Sequence, residues 1–116
     1  MTSSTHDERP WGRYTVLGGS DGYQVKEIVV DPGKRLSYQL HRHRSEHWFV
    51  VGGAGQVVLD GQARDVGVGD AVDVGTGELH RIGNTGSDPL VFIDVQVGDY
   101  LGEDDIERID DDFGRA

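Results

Sequence analysis

The stretch "LSYQLHRHRSEHWFVV", residues 36–51, places three histidines, a glutamine and a glutamate between two apolar runs. Successive side chains on a β-strand point to opposite faces, so Gln39, His41 and His43 share a face for as long as the strand continues. Glu46 has the opposite parity. It joins that face only if the chain turns between His41 and Glu46, and "RHRS" (42–45) is the place where it can do so. A hairpin there puts Gln39 and His41 at the end of one strand and Glu46 at the start of the next. His43 then lies in the turn, at the mouth of the resulting cavity, and His47 points away from Glu46.

The rest of the chain has the same strand-and-turn character. Eighteen glycines and three prolines punctuate short β-branched runs: "YQVKEIVV" (23–30), "LSYQL" (36–40), "HWFVV" (47–51), "QVVL" (56–59), "AVDV" (71–74) and "PLVFIDVQV" (89–97). Asp31-Pro32-Gly33, Gly52-Gly53, Gly69-Asp70 and Asn84-Thr85-Gly86 are turn signals, and Asp60-Gly61 marks a two-residue hairpin. In "PLVFIDVQV" the Val91, Ile93, Val95 and Val97 face is expected in the core, opposite Leu90, Phe92, Asp94 and Gln96. These features define an all-β sandwich or barrel, with one short helical turn in "EDDIERI" (103–109). Residues 1–8 form a flexible leader and residues 9–116 a single domain. Trp11 and Trp48 are read as packing residues in preference to sugar platforms.

The chain has no cysteine, which excludes thiolate chemistry and disulfides. A formal charge of −10 argues against nucleic acid as a partner. Seven acids against Arg108 and Arg115 put −5 of it in residues 101–116, a solvated acidic tail. No apolar run reaches membrane-spanning length and the N-terminus lacks a signal core, so no membrane partner and a cytoplasmic location are expected. An anionic small molecule would need a local basic exception, for which Lys26, Lys34, Arg35, Arg42, Arg44 and Arg81 are the candidates.

Two spaced patterns then become visible. Gly33, Gln39, His41, Glu46 and Gly53 are separated by five, one, four and six residues, and Gly69, Gly75, Gly77, His80 and Asn84 by five, one, two and three. Together they resemble the two motifs of a cupin, with Gln39 in place of the first histidine and Gly75 in place of a proline. The resemblance implies a double-stranded β-helix (jelly-roll barrel). It also implies one divalent metal ion held by Gln39, His41, Glu46 and His80. Two imidazoles, a carboxylate and an amide oxygen suit zinc first, with manganese, cobalt or iron as alternatives. A pairing of His41 with His43 leaves too few residues before Glu46 for the chain to turn.

The segments "RPWGRYTVL" (9–17), "QVKEIVVDPGKRLSYQLHRHRSEHWFVV" (24–51), "LHRIGNTG" (79–86) and "YLGEDDIERIDDDFGR" (100–115) resemble the type II mannose-6-phosphate isomerase domain, here expected to stand alone without a preceding nucleotidyltransferase. That resemblance implies a metal-dependent aldose–ketose isomerase interconverting mannose 6-phosphate and fructose 6-phosphate. The alternatives are a non-catalytic metal-containing sugar-binding cupin and another cupin enzyme such as a dioxygenase. For catalysis, His43 is the candidate base, or else an exposed turn residue. Arg44 and Arg81 are candidates to hold a phosphate or hydroxyl, and Lys34 and Arg35 a phosphate at the barrel rim, against plain solvation of an acidic surface for all four. A homodimer is expected through edge strands at "YTVL" (14–17) and "PLVFIDVQV" (89–97).

Overall fold

Eleven antiparallel strands build the molecule in a computed structural model that describes residues 5–116. They are β1 (Thr5–Arg9), β2 (Gly12–Ser20), β3 (Tyr23–Val30), β4 (Tyr38–Leu40), β5 (Arg44–Gly52), β6 (Ala54–Leu59), β7 (Gln62–Gly67), β8 (Ala71–Val74), β9 (His80–Asn84), β10 (Leu90–Gly98) and β11 (Glu107–Asp110). One sheet runs β1-β2-β3-β10-β5-β8 and the other β11-β4-β9-β6-β7. Their inner faces enclose the core, in which Val30, Val50, Val57, Ile82, Leu90 and Phe92 have no exposed surface. Burial of each such side chain contributes roughly 1.5–3 kcal/mol.

The turn chemistry acts as read. β6 and β7 are joined by Asp60 (φ 43°) and Gly61 (φ 82°), the two left-handed residues of a tight hairpin whose twist matches its strands. Part of the leader lies outside the described residues, but residues 5–8 within it belong to β1 and pair with β2.

Four expectations are corrected. The helical turn in "EDDIERI" is absent; residues 107–110 form β11 against β4, where a sheet edge offers hydrogen bonds that a one-turn helix cannot match. On β10 the inner face is Leu90, Phe92, Asp94 and Gln96, all buried, while Val97 on the other face is half exposed. Apolar count misassigned the face because polar residues line one end of the interior. β2 and β10 are both flanked by strands on each side, so neither "YTVL" nor "PLVFIDVQV" offers an edge. Finally, β4 and β5 belong to different sheets, so residues 41–43 form an arch crossing the barrel and not a hairpin. Among the described residues no helix is long and apolar enough to cross a membrane.

Candidate metal centre

The arch achieves what a hairpin was expected to do. Gln39 on β4 lies directly across from His80 on β9, in one sheet. From the other sheet β5 turns Arg44, Glu46, Trp48 and Val50 inward by strict alternation. The result is a buried cluster of His41, Glu46 and His80 whose ligating atoms lie within 4.8 Å of one another. The His41 and His80 rings are 5.0 Å apart between centroids.

Each member is held by its neighbours. His41 Nδ1 lies 2.6 Å from the Asp105 carbonyl and His80 Nδ1 2.9 Å from the Glu78 carbonyl. Both contacts fix the Nδ1–H tautomer and leave the Nε2 lone pairs pointing inward. Arg44 spans two of the inward atoms, its Nε donating to Glu46 Oε2 at 2.9 Å and its Nη2 to His41 Nε2 at 3.3 Å. Glu46 Oε1 accepts from Trp48 Nε1 at 2.9 Å. His80 Nε2 is buried and has no hydrogen-bond partner among the described residues. A buried lone pair without a donor is costly, and a cation at the cluster would satisfy it. The donor set of two imidazoles and a carboxylate therefore fits a borderline divalent metal. Gln39 lines the same cavity, and its Oε1 accepts from the Ser37 hydroxyl at 3.1 Å.

Asp94 and Gln96 were not singled out from the sequence, yet both are buried beside Glu46. Burial, and then the charge of Glu46 next to it, push the Asp94 carboxyl well above the usual carboxylate range. The raised carboxyl favours its protonated form, with Oδ2 accepting from Gln96 at 3.0 Å and Oδ1 finding no other donor. Protonation of Oδ1 resolves that shortfall by donation to Glu46. Burial opposes ionisation of Glu46, but the contact with His41 and the Arg44 guanidinium hold its carboxyl well below the usual range. An amide can donate to Glu46 and accept from Gln96 just as a neutral acid does. Asp94→Asn is accordingly expected to keep the urea midpoint within the equivalent of about 1 kcal/mol, whereas Asp94→Ala loses both bonds and costs about 2 kcal/mol.

Burial pushes His80 down from its ordinary value. Below about pH 6.5 the unfolded chain takes up a proton that folded His80 refuses, so its contribution is intact above that pH and is lost as pH falls. Asp94, being raised, titrates in the opposing sense. In chelated Asp94→Asn protein, where that titration is gone, stability should drop between pH 7 and 5.5. Adding His80→Asn should flatten the slope.

The remaining sequence candidates are distributed unevenly. Arg44, expected in a turn, is buried in the cavity. His43 is half exposed, 3.4 Å from Asp99, and is not among the cavity's lining residues. Arg81 faces away from the cluster, donating to the Leu36 carbonyl and pairing with Asp110 at 3.2 Å. Lys34 and Arg35 are exposed at a separate groove that also holds Arg81, and Arg35 grips Asp112 through two hydrogen bonds of 2.7 and 2.9 Å. Trp11 and Trp48 are packed into the core.

Two facing antiparallel sheets around an inward His/Glu/His cluster define a cupin. The same fold is found in oxalate decarboxylase from Bacillus subtilis (TM-score 0.80, 17% identity, 91% of this chain and 30% of that one). It also occurs in the Cnp3 cupin domain of Schizosaccharomyces pombe (TM-score 0.72, 12% identity, 75% and 64% covered). A family model described as "Mannose-6-phosphate isomerase C-terminal" matches residues 1–111, and the chain belongs to that family. It is 47% identical over 108 residues to the alginate biosynthesis protein AlgA of Pseudomonas aeruginosa, covering 93% of this chain and 22% of that protein. To the mannose-1-phosphate guanylyltransferase of Escherichia coli it is 45% identical over 108 residues, covering 93% and 23%. The chain thus spans under a quarter of the length of these relatives.

Proposed function

We propose that the protein is a metal-dependent aldose–ketose isomerase that interconverts mannose 6-phosphate and fructose 6-phosphate. The observation that carries this reading is the convergence of His41, Glu46 and His80, with an unsatisfied His80 Nε2, where His41 and Glu46 also line a cavity rich in cationic side chains. Family membership supports the choice of sugar phosphate as substrate class. Gln39, His41, Glu46 and His80 would hold the ion, with zinc the first candidate and manganese, cobalt and iron behind it. Such a cation supplies a Lewis acid for a carbonyl oxygen.

The chain's own groups set the conditions around that chemistry. Trp48, Phe92 and Ile28 wall the cavity with apolar surface, which strengthens every polar contact inside it. Burial and the neighbouring Glu46 carboxylate both disfavour a second negative charge on Asp94. Arg44 is positioned to donate to an oxygen placed beside the cluster. Isomerisation also needs a group to carry the proton between C1 and C2, and His43 reaches the cavity only if the arch moves.

Purified protein loaded with zinc should turn over mannose 6-phosphate in an assay coupled to fructose 6-phosphate, lose activity on chelation and regain it on metal return. Stoichiometric metal without turnover would favour the sugar-binding reading. Oxygen consumption by an iron-loaded sample with an unphosphorylated substrate would favour a dioxygenase.

A further inference from the structure

The protein is strongly acidic, yet five of the side chains lining the cavity beside His41 and Glu46 are cationic: Arg9, Lys26, Arg44, Arg108 and Arg115. Two of them are committed elsewhere. Arg9 pairs with Asp7 at 2.9 Å, and Arg115 grips Asp111 at 2.8 and 2.9 Å. The other three are less fully paired. Arg44 Nη1 and Arg108 Nε are both buried without a hydrogen-bond partner among the described residues. Lys26 has only 4% of its side chain exposed, lies 4.4 Å from the Tyr14 ring centroid, and has one acidic partner, Glu103.

Glu103 is the odd member of the group. It sits on the segment between β10 and β11, its side chain is nearly half exposed, and its carboxylate reaches inward to Lys26 Nζ at 2.5 Å, with Arg44 Nη1 3.9 Å away. The segment is anchored on one side of that residue. Asp105 accepts from the backbone N–H groups of Arg42 and His43 at 3.0 and 2.9 Å, tying it to the arch that carries His41. On the other side Tyr100 donates to Asp104 at 2.5 Å, closing a small local loop. The exposed Glu103 side chain can therefore swing outward while Asp105 stays fixed. The cavity opens to solvent, and its inner part holds about 70 Å³, room for a handful of waters. A hexose phosphate reaching that inner part would have to press against its charged wall, where Glu103 is exposed and its partner Lys26 is buried.

We propose that Lys26, Arg44 and Arg108 form the subsite for the phosphate group of the ligand, and that the Glu103 carboxylate stands in that subsite until the phosphate displaces it. The proposal rests on reading the cavity as a sugar-phosphate site and assigns the phosphate to its interior, not to Lys34 and Arg35 on the outer groove. A phosphate brings more charge and more acceptor oxygens than a carboxylate, so it can satisfy the two orphaned guanidinium donors that Glu103 leaves unpaired. A neutral sugar could not repay the displacement of Glu103, which makes the contact a filter for anionic ligands.

Inorganic phosphate titrated calorimetrically into the full chain tests this, once with chelator and once with zinc. Glu103→Gln removes the competing charge on an exposed segment and is expected to tighten phosphate binding about tenfold in both conditions. Lys26→Met is expected to weaken it at least tenfold, and Arg108→Gln, nearer the rim, gives the same direction should the buried Lys26 variant fail to fold. In the isomerase assay Glu103→Gln should lower KM for mannose 6-phosphate. If phosphate affinity moves as stated while no turnover occurs, the anion subsite stands and the isomerase reading fails. If the wild type turns over mannose 6-phosphate while Glu103→Gln and Arg108→Gln leave both phosphate affinity and KM unchanged, the subsite is overturned.

Discussion

Glu46→Ala protein is expected to lose zinc affinity by more than about a hundredfold, since removing even an outer partner of a ligand costs about 10–100-fold. Isomerase activity should fall with it. Stability should fall too, by about 3–5 kcal/mol, because Arg44 is buried and Glu46 is its closest carboxylate. The two effects can be separated. Pairing Glu46→Gln with Arg44→Met removes both charges, so most of the lost stability should return while metal binding stays absent. Recovery of metal binding in the double variant would mean that Glu46 serves only to neutralise Arg44.

The second large effect concerns a residue with no side chain. Gly98, at the end of β10, lies opposite Arg44 in the ladder to β5. A Cβ there would sit 2.0 Å from the His43 carbonyl oxygen and 2.8 Å from the Arg44 Cα. Both are backbone atoms where the arch meets β5, so relief requires moving the segment that positions His41 and Arg44. Gly98→Ala should cost about 3 kcal/mol in urea unfolding, and the folded fraction should bind metal more weakly. Gly18→Ala, where nothing lies within 4 Å, is the control and should stay within about 0.5 kcal/mol of wild type. Equal, small effects at both positions would show that the arch adjusts freely and does not set the geometry of the centre.

Much of this architecture could be read from local signals. Asp60-Gly61 announced its hairpin because only two left-handed residues close so short a turn. The alternation Arg44, Glu46, Trp48, Val50 is visible as soon as β5 is recognised. Gln39, His41, Glu46 and His80 were legible only through their joint spacing, since each alone is an ordinary polar residue. What stayed hidden depended on pairing between distant strands. Asp94 and Gln96 looked like the solvent face of β10 because the opposite face carried more aliphatic residues, and only the approach of β5 and β3 shows that a polar end of the barrel lies above them. Glu103 read as part of a solvated acidic tail. Its partner Lys26 is 77 positions away, a contact that no local pattern encodes. Arg44 was placed in a turn because the crossing between sheets was mistaken for a hairpin, which also exaggerated the claim of His43 on the cavity.

All of the chemistry proposed here needs a cation where the lone pairs of His41, Glu46 and His80 meet. The most direct measurement is anomalous diffraction at the zinc edge from zinc-soaked crystals of the full chain. A single peak bonded to the Nε2 atoms of His41 and His80 and to a Glu46 oxygen, at about 2.0–2.2 Å, is the predicted result. Full-strength zinc peaks elsewhere on the acidic surface, with Arg44 still bridging Glu46 and His41 and nothing at His80 Nε2, would contradict it.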